Sequence, residues 1–355
     1  MAKIENLYRD VIKNQTVWNY YISSMDCDDN NNILYINAFK DLYEEKSEAS
    51  YNFINSMLFH SGKDAAKELF SCFVAIKKND KERLRHIVSL FFLGHIFYRR
   101  IPLIREKINS QLPHIIDSNQ NPQKLFAFIW FILCIFHDLG YAYEEGVISV
   151  RGLDEKLTKP KDFIPIIYSE DNIRKYRLYR KCKFNVDDHG IYGGQAFYDD
   201  MLTIGKEYYK ELKNGNFRTE NVEPIYQYAA WIIMCHNIFY NNGKDNYTDC
   251  YRCCGLDDFI KPKARCITLK NNPLLFLFCL ADTLEPTKVL KSKSKNPQDD
   301  LKLCRLLKMD FGKSSIKFNL SGLSDYIVGE KYKNNIKGIN DWLADVSDEL
   351  VIKLK

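Results

Sequence analysis

Along most of the chain, apolar residues fall into runs at helical spacing, separated by short polar breaks. The runs Arg83 to Tyr98, Lys124 to Phe136, Ile225 to Tyr240 and Pro273 to Glu285 are apolar enough to predict core helices. Pro273 suits a first helical position and Pro286 a stop, while Gly94, inside the first run, marks close packing or a bend. Residues 1–80 read as mostly helical. A polar break at Asp28 to Asn32 precedes helices through Phe39–Leu42, Phe53–Phe59 and Ala65–Ile76, and a charged turn follows at Lys77 to Lys81.

Between the core runs the pattern weakens. Ser110 to Gln123, with Pro113, Asn119, Asn121 and Pro122, reads as a loop into the second core helix. Glu145 to Val186 has a basic middle of Lys156, Lys159, Lys161, Arg174, Lys175, Arg177, Arg180, Lys181 and Lys183. It reads as a solvated helical face, or as a lid or binding loop beside a site. Asp187-Asp188-His189-Gly190 opens a further helix, with either aspartate suited to the N-cap and Gly193-Gly194 permitting a neighbour's close approach. Asn241 to Asn272 is a polar loop with cysteines.

After the linker Lys291 to Pro297 come strand-like pieces at Leu306–Phe311 and Ser315–Leu320, a helix near Asn334–Ser347 and a last strand at Glu349–Leu354. The expected fold is mainly α: a helical segment over 1–80 packed on a helical core domain over 81–290, with a small C-terminal α/β appendage over 300–355. No internal repeat is evident.

Composition narrows the classes without choosing a function. The 355 residues are 46% hydrophobic and 27% charged, as in a folded globular chain. A net charge of +5 makes no global case for nucleic acid. The N-terminal MAKIENLYRDVIKN has no apolar signal core, and the longest apolar run, Leu125 to Phe136, would rise only roughly 18 Å as a helix against a hydrocarbon core of ~30 Å. The reading is therefore a cytoplasmic chain with no membrane span. The odd count of 11 cysteines fits reduced thiols, with Cys134, Cys235 and Cys279 as small core residues. Cys250, Cys253, Cys254 and Cys266 include a C-x-x-C but lack the second close pair of a zinc ribbon, so reduced loop thiols are the expectation. Oligomeric state is not encoded in any of these features.

The polar residues inside the apolar runs change the picture. His86, His137 with Asp138, His236 and Asp282 sit in core helices, and His189 sits at a helix start. An ionised aspartate in the middle of LLFLFCLADTLE costs several kcal/mol to bury unless it is paired or bound to a cation. A metal would offset that cost for all these residues together. Neighbours on a helix point about 100° apart, so His137 and Asp138 can serve one ion only near a helix end.

The order His, His-Asp, His, His, Asp resembles the HD-domain superfamily of metal-dependent phosphohydrolases over about residues 83–288. The pieces that carry the resemblance are RHIVSLFFLG, FHDLGYAYE, DDHGIYGG, MCHNIFY and FCLADTLEPTK. It implies an HD-type helical bundle in which His86, His137, Asp138 and Asp282 hold one divalent ion. His189 and His236 complete a second site, and Asp138 bridges the two. His95 falls on the face of its helix opposite His86 and is read as a core or surface residue; His60 and His114 match nothing. The nitrogen and oxygen donors suit Mn, Fe, Mg or Zn.

Around these ligands, Asp188 is the candidate for orienting a metal-activated water or holding His189, beside a helix-capping role. Asn237 could contact a ligand or satisfy the helix end. Lys288 and Arg85 are candidate phosphate contacts, against simple solvation. Tyr141 stands where related phosphodiesterases often carry Lys, which leaves it as a surface for stacking on a base or ring. Glu144 fits the local pattern as a supporting residue.

The leading expectation is an enzyme that hydrolyses a phosphate ester or anhydride, with a nucleotide or other small phosphorylated metabolite as substrate. Two alternatives stand beside it: a diiron oxygenase with the same six ligands, and a nucleotide-sensing module without turnover.

Overall fold

The computed structural model describes residues 1–12, 81–116, 121–141, 170–199, 223–239, 247–260, 267–290, 297–319, 334–336, 338–339, 343 and 350–354. The helices read between 39 and 76, Glu144, the Lys156, Lys159 and Lys161 part of the basic stretch, and Cys266 lie outside them.

The described chain is mainly helical, with a small sheet built mostly from its C-terminal part. Its helices, in order, are α1 Ile4–Ile12, α2 Lys81–Arg100, α3 Pro102–Ile116, α4 Pro122–Phe136 and α5 Glu170–Phe184. They continue with α6 over 189–199, α7 Glu223–Cys235, α8 Thr248–Cys253, α9 Pro273–Leu284, α10 Pro286–Val289 and α11 Pro297–Leu306.

α4 is central, packed against α2, α3 and α7, while α9 closes the bundle against α2, α3 and α7. Its apolar residues are buried on every side of the helix, which suits a core helix with neighbours all round. Asn121 sets its start: the side-chain Oδ1 accepts from Gln123 N at 2.9 Å, an N-cap bond. α2 and α4 approach closely at Gly94, where a side chain would run into the Trp130 indole. Trp130 in turn donates from Nε1 to Phe91 O at 3.0 Å. Glycine at 94 thus serves packing rather than a bend.

The loop expected over 110–123 is helical up to Ile116 and again from Pro122. Pro113 lies inside α3 because Ile104, Ile108, Leu112 and Ile115 carry one buried stripe straight past it. That burial outweighs the ~3 kcal/mol a helical proline ordinarily costs.

The sheet runs β1 (Ala2–Lys3), β2 (Lys308–Gly312), β3 (Ser315–Asn319), β4 (Val351–Leu354), antiparallel except for the parallel β3–β4 pair. β1 was not expected from sequence, where two residues offer no alternation to read. It places the chain's start against the first strand of the C-terminal sheet, with Ala2 opposite Met309 and Ile4 N donating to Leu307 O. Met309, Ile316 and Phe318 turn inward and join the same apolar core as the helices, and Phe311 meets Phe97 of α2. Among the described residues no single helix is long and apolar enough to cross a membrane. α2 and α3 qualify by length and composition only as a pair, bent by 97°.

Candidate metal centre

Both central helices end at a histidine. α4 stops at Phe136, and His137 Nδ1 lies 3.1 Å from Cys134 O; α7 stops at Cys235, and His236 Nδ1 lies 2.6 Å from Ile233 O. The same device operates twice: a carbonyl left over at a helix end accepts a hydrogen bond from the imidazole just beyond it. A carbonyl only accepts, so Nδ1 carries the hydrogen in each ring and Nε2 presents its lone pair to the interior. Burial pushes both rings below the ordinary histidine range, His137 to about 3 and His236 to about 4, so both are neutral at pH 7. Their apolar floor is Phe278, whose ring meets both edge to face and which precedes Asp282 by one helical turn.

The inward nitrogens meet carboxylates. His86, His137 and Asp282 form one group and Asp138, His189 and His236 another, the ligand atoms of each lying within 4.8 Å of one another. In the first, His86 Nε2 is 3.0 Å from Asp282 Oδ1 and 3.2 Å from His137 Nε2. Asp138 Oδ1 stands between the groups, 3.3 Å from His137 Nε2 and 3.8 Å from His189 Nε2. A cage of imidazole and carboxylate groups into which His137 and His236 turn Nε2 lone pairs suits a divalent ion, and Asp138 stands as a wall between the two groups. His95, by contrast, packs between Phe91 and Phe126, and His114 is exposed on α3.

The turn between the groups is fixed by Gly140. A β-carbon there would overlap the His189 carbonyl, so the His137–Gly140 turn sits directly on the start of α6. That contact brings Asp138 to His189.

Glu285 was missed by sequence reasoning. Wholly buried, its Oε2 lies 3.0 Å from His86 Nδ1 and accepts from Thr287 Oγ1 and Lys288 N, while Oε1 accepts from Thr287 N. It caps α10 and aims His86 at the same time. The readable signal was a Glu just before Pro-Thr at a helix start. Burial, the largest influence on His86, would lower its pKa, but hydrogen bonds to Asp282 and Glu285 prevail and raise it to about 9. Asp282 is held well below the usual carboxylate range: burial acts against this, and Lys288 with His86 outweighs it.

The other sequence candidates divide. Lys288 Nζ reaches Asp282 at 3.1 Å from Oδ1. Arg85 is buried and joins neither ligand group. Asp188 is wholly buried, with Oδ1 capping α6 through Ile191 N and Oδ2 accepting from Asn237 Nδ2 at 3.1 Å. Asn237 therefore ties the end of α7 to the start of α6. Arg177 grips Asp187 through two hydrogen bonds, Arg180 lies 3.6 Å from Asp188, and Tyr176 donates to Asn237 O. Part of the basic stretch thus braces the second group rather than standing as a wholly solvated face. Tyr141 stacks on His189, 3.9 Å between centroids, and Arg83, not singled out in the sequence, lies over the Tyr141 ring. Among the described residues Cys250, Cys253 and Cys254 enter no ligand group.

Comparison with protein-family profiles, with curated proteins and with solved structures gives no match. The centre consists of two His/Asp groups, able to hold metal ions, in a mainly helical fold with a small C-terminal sheet.

Proposed function

We propose that the protein is a metal-dependent phosphohydrolase of the HD-domain type, acting on a small phosphate ester or anhydride such as a nucleotide. The observation that carries this reading is the pair of buried ligand groups meeting at Asp138. His86, His137 and Asp282 would hold one divalent ion and His189 and His236 the other, with Asp138 shared. Two divalent ions bound there would supply a water acidified to near neutrality and a clamp for phosphoryl oxygens.

The chain's own residues do the rest. His137 and His236 need lose no proton to ligate. Glu285 holds the His86 proton on Nδ1, which leaves Nε2 for the ion. Lys288, paired with Asp282 in the protein alone, would be released toward an incoming phosphate once that carboxylate ligates.

The test is phosphate release from nucleotides, cyclic nucleotides and sugar phosphates by metal-stripped protein reloaded with Mn, Fe, Mg or Zn. Release is expected only from reloaded wild type and not from Asp138→Ala. Full activity after stripping or in Asp138→Ala would overturn the reading, as would oxygen uptake with no phosphate released.

A further inference from the structure

We propose that Arg83, carried on the Tyr141 ring, binds the non-bridging oxygens of a terminal phosphoryl group and so selects a phosphomonoester or anhydride end over a diester. This rests on the phosphohydrolase reading and names the substrate class of that same site.

Arg83 precedes His86 by one helical turn, on the same side of α2 and nearer its start. Its guanidinium carbon lies 4.1 Å from the Tyr141 centroid, and the Tyr141 ring is stacked on His189 at an interplanar angle of 16°. An aromatic ring has two faces; the imidazole takes one and the guanidinium the other. Tyr141 is therefore closed to a substrate base, contrary to the stacking role its sequence position invites. What it does is hold Arg83 on the ring face away from His189, joining α2, the His137–Gly140 turn and α6 in one stack. A guanidinium carries its N–H donors in one plane, in the fork that matches two phosphoryl oxygens.

Lys288 mirrors it at the first group, its side chain 42% exposed and its Nζ on Asp282. Cations from two different elements thus flank the two groups. Two divalent ions would outweigh the charges of Asp138, Asp282 and Glu285, and Lys288 with Arg83 adds to the excess. A monoester end, carrying about −1.5 to −2 at neutral pH, satisfies that excess better than the single charge of a diester.

The experiment is calorimetric titration of manganese-loaded full-length protein with inorganic phosphate and with dimethyl phosphate. The variants are Arg83→Gln, Arg83→Lys, Tyr141→Phe and Tyr141→Leu, each checked for manganese content and melting temperature. Wild type should bind phosphate at least about tenfold tighter than dimethyl phosphate. Arg83→Gln should lose about tenfold to a hundredfold for phosphate and little for dimethyl phosphate, so the preference collapses. Tyr141→Leu should follow it, Tyr141→Phe should match wild type, and Arg83→Lys should fall between. Metal-loaded Arg83→Gln and Tyr141→Leu with the preference intact would overturn this proposal alone. Wild type that takes up none of Mn, Fe, Mg and Zn would overturn the phosphohydrolase reading and this proposal with it.

Discussion

Replacing Glu285 with Gln keeps the shape of the residue and removes its charge, which isolates what it does for His86. Four donors converge on the carboxylate: His86 Nδ1, Thr287 N, Thr287 Oγ1 and Lys288 N. Glutamine offers one oxygen, and on either side its NH2 faces a backbone N–H, of Thr287 or of Lys288, that can only donate. At least one buried donor is left unmatched, at a cost of about 1–3 kcal/mol. The outer partner of a ligating histidine typically accounts for about tenfold to a hundredfold in metal affinity, or about 1.4–2.7 kcal/mol. Denaturant unfolding of metal-free protein should read the first loss, and competition with a chelating dye the second. The first ligand group should weaken by about tenfold to a hundredfold while the group of Asp138, His189 and His236 changes little. His86, left with Asp282 alone, should titrate below the value of about 9 that both carboxylates together give it. Wild-type stability and wild-type affinity for both ions in Glu285→Gln would refute the argument.

Three further outcomes follow from the same geometry. Gly140→Ala places a methyl against the His189 backbone, so it should destabilise by about 1–3 kcal/mol or more and lower metal content, read by melting and by elemental analysis. The pH dependence of the metal-free protein should be two-sided. His86, raised to about 9, contributes stability that is present in full below pH 6.5 and lost as pH climbs toward 9; His137 and His236, lowered to about 3 and about 4, make the fold lose stability as pH falls below 6.5. Filling the first group at pH 7 should accordingly release close to one proton, from His86, measurable by calorimetry in buffers of different ionisation enthalpy.

The core helices and the ligand-type residues His86, His137, Asp138, His236 and Asp282 were legible as local signals, polar residues that burial in an apolar run would penalise, while His189, at a polar helix start, was legible only through the order it completes. Helix ends at Phe136, Leu284 and the start of α6 followed from Gly, Pro and Asp chemistry in the same way. Residues whose role depends on a distant partner were not legible. Glu285 looks like a solvated cap until α2 brings His86 against it, 199 residues away in sequence. Arg83 looks like one more basic residue at a helix start until Tyr141 and His189 assemble beneath it. Pro113 misled for the opposite reason, since its local signal was outweighed by a buried stripe that only tertiary packing rewards. The two-residue strand β1 had no pattern of its own and exists through pairing with β2.

The central claim is a two-ion centre with Asp138 as the shared wall, and elemental analysis of the purified full-length chain after loading and desalting tests it most directly. Two divalent ions per chain are expected for wild type, with Asp138→Ala depleted at both groups rather than one. A folded wild-type protein that retains no stoichiometric divalent metal, or an Asp138→Ala variant that retains both ions, would contradict it.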